Sequence, residues 1–358
     1  MHGKTYFTEK LSNLLFLDIK KEKLMKLFNV YLNENVYMPI KSVKIIENVK
    51  KGDSLEEIPV FLFLEGMYYV LGIDENFKYA DIYRRMLLNM PSSINFIKSI
   101  VFNEVKKENY ADAFIFLKGL VQVEENVENY DKLLSLADTI RYKDKSFKNE
   151  ELYVIEKAKL FDNISSPYLY EAVIKREDGD YDGAMFSINT YLAKGGEKTL
   201  EVSEFIHSLN NIISYERGKE LLYEDADGAL KLLIPLLEEY GDDAALYYYI
   251  AVGYRILNNF EKAIYYLNEA LAIDDALVEV VNELGINYAS LEDYATAIKY
   301  LRKAFEATKS VEICTNLIMC YLNSGDIQQA KNHLEIAKKL DDKDEVVIEL
   351  DKILNNKA

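Results

Sequence analysis

Three histidines, two cysteines and one Gly-Gly-Glu-Lys-Thr stretch are the residues of this chain with types suited to catalysis, metal binding or phosphate binding. His2, His207 and His333 lie far apart and fit no ligand spacing. Cys314 and Cys320 are six residues apart. On a helix that is a turn of about 600°, so the two thiols point to different faces and a local disulfide is not expected. Two free buried thiols suit a reducing cytoplasm. In GGEKT, Gly195 to Thr199, Glu197 stands where a phosphate loop needs a glycine before the lysine, and no strand leads into it. These residues predict no enzyme, no metal and no cofactor.

The elements that carry them are therefore built for something else. The 358 residues contain 5 Pro and 15 Gly, so helix breakers are scarce. The chain carries 60 Asp and Glu against 43 Lys and Arg, a net charge of −17. Such a chain repels phosphate backbones, which argues against nucleic acid and for a basic or apolar partner. Residues 1–50 depart from this balance, with nine Lys and Arg against five Asp and Glu, a net +4. No small-residue cleavage site follows LSNLLFL, so no secretory signal is predicted. The apolar run from Ile58 to Ile73 contains Glu65 and is too short to span a bilayer.

A repeat organises the C-terminal half. Phe260, Ala263, Leu267 and Ala270 reappear as Tyr294, Ala297, Leu301 and Ala304, then as Ile327, Ala330, Leu334 and Ala337. The step from Ala263 to Ala297 is 34 residues, and from Ala297 to Ala330 it is 33. A period of that size marks stacked supersecondary units. Within one unit, Val281, Leu284, Tyr288 and Leu291 fall on one helix face. LED then breaks the pattern, and a second helix buries Tyr294, Ala297, Ile298, Leu301, Ala304 and Phe305. The fixed alanines, and Gly285 opposite them, let two helices cross at short distance.

These units resemble the tetratricopeptide repeat, whose helix–turn–helix places small residues at the eighth, twentieth and twenty-seventh positions. Gly285, Ala297 and Ala304 match in one unit, and Ala251, Ala263 and Ala270 in the unit before. In the unit after, Ile318 departs at the eighth position while Ala330 and Ala337 hold. Asp275 and Asp342 stand where the family commonly has proline. The resemblance covers residues 244–343. Upstream, Ala229, Ala184, Ala113 and Ala80 keep a thinner version of the phase, with one more unit placed around Phe147. From Ala184 to Ala229 the step is 45 residues, which predicts a longer helix or an inserted loop.

The expected architecture is an all-α, right-handed superhelical solenoid with a helical N-terminal cap. Its parts are a mostly helical cap over residues 1–55, divergent repeats over 56–198, repeats over 199–344, and a terminal capping helix over 345–358. Such a helix covers the apolar face an end repeat would otherwise expose. Ser54 and Glu57 form a capping-box pattern before the first repeat. Gly195–Gly196 is the expected break between the two blocks and a candidate hinge.

The resemblance implies a concave groove lined by the first helices, through the second, fifth, ninth, twelfth and thirteenth positions of each repeat. Carried onto this chain, the groove residues are Tyr248, Val252, Arg255, Asn282, Ile286, Thr315 and Met319. They would suit a peptide or amphipathic partner segment, and Glu279 and Glu312 beside them favour one with Lys or Arg. One subclass of the family holds a C-terminal carboxylate with basic residues, but Glu279, Asn282, Glu283 and Ile286 occupy those places here. The function expected is a non-catalytic scaffold that binds a protein or peptide segment. The alternative is a regulator whose solenoid changes pitch when a peptide binds.

Overall fold

The computed structural model of the chain describes residues 6–45 and 58–356. Its contacts separate two units, Met1–Ile206 and His207–Ala358, each with its own core. His2 and the Ser54–Glu57 pattern lie outside the described residues.

The first unit begins with a short 3-10 turn at Thr8–Asn13 and an antiparallel pair of strands, β1 (Leu14–Ile19) and β2 (Val36–Lys41). Helix α1 (Lys21–Phe28) connects them, and the register sets Leu14 opposite Lys41 and Ile19 opposite Val36. This corrects the expectation of a mostly helical cap. Helical spacing holds for α1, where Leu24 and Phe28 are buried four residues apart, but LLFLDI is a strand. The cause is tertiary. Val36, Met38 and Ile40 of β2 are buried, whereas Tyr37 between them faces out. β1 pairs with that strand instead of coiling locally, since packing and pairing override a weak helix preference.

Helix α2 (Val60–Ile73) is buried from Leu62 to Ile73 on every side, as an apolar helix without a polar face must be. It packs against β2 and against α5 (Tyr110–Val121). Helices α3 (Ala80–Leu88), α4 (Ser92–Lys106) and α6 (Val127–Lys143) pack on these two helices, and α7 (Lys148–Ala158), α8 (Ser166–Glu177) and α9 (Tyr181–Ala193) follow outward from α6. Ala80, Ala113 and Ala184, in phase with the repeat, are all buried.

Helix α10 (Leu200–Leu221) accounts for the long step between Ala184 and Ala229. The contact division falls inside this helix, after Ile206, and not at Gly195–Gly196. Its first turns belong to the first unit, where Arg176 lies 5.2 Å over the Phe205 ring. Gly195 and Gly196 instead close α9: their amides bond to the carbonyls of Leu192 and Tyr191, and Gly195 adopts φ +85°. That is a Schellman cap, which favours glycine at the left-handed position.

In the second unit α11 (Ala226–Leu233) is followed by three hairpins and a last helix. The hairpins are α12 (Ala244–Ile256) with α13 (Phe260–Ile273), α14 (Val278–Ser290) with α15 (Tyr294–Thr308), and α16 (Val311–Asn323) with α17 (Ile327–Leu340). Ala263, Ala270, Ala297, Ala304, Ala330 and Ala337 are 0–1% exposed, so the small-residue phase marks the crossings. A β-carbon built on Gly285 would lie 2.5 Å from Leu301, which places α15 directly against it. Helix α18 (Glu345–Asn356) packs on α16 and α17 through Val347, Leu350 and Leu354.

The hairpin turns share one device. Glu108, Gly179, Asn258, Glu292 and Gly325 each adopt positive φ at the end of a first helix. The next residue starts the second helix. Asp180, Asn259, Asp293 and Asp326 there accept an amide N–H three residues on through their side chains. A left-handed residue followed by an Asx cap reverses the chain in the fewest residues while bonding both helix ends.

Candidate functional site

The residues with catalytic or ligating chemistry sit in structural roles. His207 on α10 bonds through Nε2 to Glu239 at 2.7 Å, with Asn211 on the same carboxylate at 2.6 Å. His333 on α17 has its Nδ1 3.0 Å from the Gln329 carbonyl oxygen. Cys314 and Cys320 are buried and unpaired in the core of the last hairpin. Burial pushes both thiols up to about 11, away from reactivity. Among the described residues no group of three or more His, Cys, Asp or Glu is arranged to hold a metal ion.

The first helices α12, α14 and α16 carry the seven residues expected to line a groove, and the structure divides them. Tyr248, Arg255, Asn282 and Ile286 are half-buried, and Met319 is 46% exposed. Val252 is 2% exposed and Thr315 is 5% exposed, so these two face neighbouring helices and not a groove. Val252 belongs to a cluster with Leu222, Leu230, Leu233 and Ile250. Leu222, the residue that follows α10, is 2% exposed in that cluster. Thr315 turns its hydroxyl back to donate to the Glu312 carbonyl at 2.7 Å.

The half-buried residues are linked across helices. Arg255 Nε of α12 donates to Glu283 Oε2 of α14 at 2.7 Å. Burial holds the Glu283 carboxyl above the usual range, and Arg255 acts against that rise. Burial pushes the Tyr248 hydroxyl up to about 12, with the Glu283 carboxylate adding to it. Asn282 has a buried Oδ1 with no hydrogen-bond partner among the described residues. So has Asn287, fully buried one turn further along, whose Nδ2 donates to the Glu283 carbonyl at 2.8 Å. Sequence reasoning did not single out Asn287. An amide two residues after the close-packed Gly285, on the side of the helix that turns inward, is the signal that could have found it. Glu279 and Glu312 are exposed on the same helices.

Paired helices on a period of 33 or 34 residues, with small residues at each crossing, define an all-α repeat protein. Residues 288–350 match the family model described as tetratricopeptide repeat, so this part of the chain carries repeats of that family. Tetratricopeptide repeat protein 19 homolog, mitochondrial, of Drosophila melanogaster is 37% identical over 76 residues, which are 19% of this chain and 21% of that protein. The chain thus spans about a fifth of the length of this relative. Solved structures with some likeness include the MamA protein, at 19% identity and TM-score 0.38 over 50% of this chain and 92% of that one. Another is the TPR2AB-domain:pHSP90-complex of yeast Sti1, at 14% identity and TM-score 0.32 over 69% of this chain and 99% of that one. At those scores neither informs the site. Among the described residues no helix is long and apolar enough to cross a membrane.

Proposed function

We propose that this protein is a non-catalytic interaction scaffold that holds a peptide or partner segment against the first helices of its C-terminal repeats. The observation that carries this reading is the pair Ile286 and Met319. They occupy equivalent places on the adjacent helices α14 and α16; Ile286 is half-buried and Met319 exposed, while Val281, Leu284, Leu317 and Ile318 on the same helices are buried. Tyr248 and Arg255 on α12, the helix next to α14, add the residue types that most often anchor interfaces. Glu279 and Glu312, exposed beside this strip, favour a partner that sets Lys or Arg next to apolar residues.

The test is a selection of displayed peptides against the wild-type chain, with counter-selection on the double variant Ile286→Glu, Met319→Glu. Enrichment of amphipathic, basic sequences that bind the wild type and not the folded variant is the expected result. Peptides that bind both proteins equally would place the interaction elsewhere. No enrichment from the wild type would remove this surface as a peptide site.

A further inference from the structure

Glu65 interrupts the apolar helix α2, and among the described residues its carboxyl has no hydrogen-bond donor. The residue is 8% exposed and accepts no hydrogen bond among the described residues. The nearest ammonium, Lys41 Nζ, is 3.9 Å away, beyond bonding distance. A buried carboxylate without donors is costly. Burial accordingly raises the Glu65 carboxyl above its ordinary range, with Lys41 and Lys44 acting against the rise.

The wall around it is built, not incidental. Gly66 allows β2 to lie directly on α2, since a β-carbon there would sit 2.0 Å from the Pro39 carbonyl oxygen. That close approach brings Lys41 beside Glu65. The Lys41 ammonium also lies 4.2 Å over the Tyr69 ring and 4.5 Å over the Phe116 ring. Asp112 is fully engaged: it accepts from Lys10 at 2.6 Å, Lys41 at 2.9 Å and the Tyr69 hydroxyl at 3.0 Å. Glu104 is engaged as well, by Lys107 at 2.9 Å and Asn109 at 2.7 Å. These groups, with Lys44, line an open cleft of about 600 Å³, within the size range of ligand pockets. Four ammonium groups and three carboxyls line it, and among the described residues Glu65 is the one of these carboxyls without a hydrogen-bond donor.

We propose that this cleft binds a small zwitterion, either a free α-amino acid or a short peptide with a free amino end. The ligand's ammonium donates to Glu65, and its carboxylate accepts from the lysine arc, where each ammonium carries three N–H donors. A purely anionic ligand would leave Glu65 without a donor and meet its repulsion. A purely cationic one would face four ammonium groups. A ligand carrying both charges satisfies both sides of the wall. The site lies in the first unit and does not depend on the repeat surface proposed above.

The full-length chain is titrated by calorimetry with the twenty free L-amino acids and with dialanine and tetra-alanine. Acetate and methylammonium serve as single-charge controls. At least one zwitterion should bind with a Kd below about 1 mM, and neither control should bind. Glu65→Gln, which keeps the shape and removes the charge, should weaken that zwitterion about tenfold or more and leave the thermal midpoint unchanged or higher. Binding by amino acids alone identifies a free amino acid, and binding by the peptides alone identifies a peptide end; either result supports the site. Absence of binding by every zwitterion at about 10 mM, full affinity in Glu65→Gln, or equal binding of a control overturns it. Should Glu65→Gln fail to fold, Lys107→Glu on the exposed rim replaces it. It reverses one charge of the lysine arc and must also weaken the zwitterion, and unchanged affinity there overturns the proposal.

Discussion

Gly72 and Gly119 meet across the crossing of α2 and α5. A β-carbon on Gly72 would lie 1.8 Å from the Ile115 carbonyl oxygen, and one on Gly119 would lie 2.0 Å from the Tyr68 carbonyl oxygen. Each helix thus rests its backbone on the other's missing side chain, and the centre of the first unit is fixed by that contact. Glycine inside a helix ordinarily costs about 0.5–1 kcal/mol relative to alanine, so Gly→Ala in an open helix stabilises. Here the struck atoms are backbone and cannot rotate away. Gly72→Ala and Gly119→Ala should each lower stability by about 1–3 kcal/mol, read as a lower urea midpoint at unchanged slope. A raised midpoint would mean that the helices stand further apart.

The hairpin turns predict opposite signs at equivalent positions. Glu292 and Gly325 occupy the same left-handed place, at φ 61° and 84°. A side chain there costs about 1–2 kcal/mol. Glu292→Gly should therefore raise the thermal midpoint by roughly that free energy, less the entropy that glycine adds to the unfolded chain. Gly325→Ala should lower it by a similar amount. Both variants keep the Asx caps at Asp293 and Asp326, so helix content should not change in circular dichroism. A fall in Glu292→Gly would show that the Glu292 side chain stabilises the turn.

These C-terminal hairpins were legible in the sequence because their contacts are local. Ala297 and Gly285 touch within one unit of 33 or 34 residues, so a short pattern records the whole interaction. The β1–β2 pair was not legible. Leu14 meets Lys41 across an intervening helix, and nothing in LLFLDI alone distinguishes that pairing from a helix turn. Exposure at the ninth positions was legible in part. Met319 is exposed and Ile286 half-buried, whereas Val252 is buried in a cluster with Leu222, the residue that follows α10. Glu65 showed in the sequence only as a break in an apolar run; its cleft comes from lysines on and just after β2, in the 3-10 turn before β1 and after α4, segments far apart in sequence.

A buried acid cluster sets a pH dependence. Arg141, 2% exposed, donates to Glu151, Glu177 and Asp138, and Lys145 adds a second bond to Glu177. Glu151 is fully buried and its Oε1 has no partner among the described residues. Burial pushes its carboxyl up to about 7, with the Arg141 guanidinium opposing and the Asp138 and Glu177 charges adding. The unfolded chain releases this proton near the ordinary glutamate value of about 4.3. Between the two values the folded state holds a proton that the unfolded state has lost. The stability this group contributes is full below the lower value, falls as pH rises to about 7, and is flat above. Glu151→Gln removes that slope. Urea titrations at steps between pH 5 and 8 should show the variant gaining on the wild type by about 2–3 kcal/mol at most as pH rises. Parallel curves would mean that Glu151 stays ionised throughout, held by Arg141.

The inner surface of the repeats can be separated from its core by placing one charge at three sites. Val252, Ile286 and Met319 share the ninth position of successive repeats, yet they are buried, half-buried and 46% exposed in that order. An unpaired charge forced among Leu222, Leu230 and Ile250 has no donor to meet it. Val252→Glu should therefore cost about 3 kcal/mol or more and lower the thermal midpoint of the second unit. Ile286→Glu should cost less, about 1–2 kcal/mol, since its side chain reaches water. Met319→Glu should stay within about 0.5 kcal/mol of the wild type. The order of the three midpoints is the measurement. If it holds, a binding defect in Met319→Glu reports a lost contact and not a lost fold. If Met319→Glu melts as early as Val252→Glu, the ninth position is core in every repeat and the partner strip on α14 and α16 does not exist.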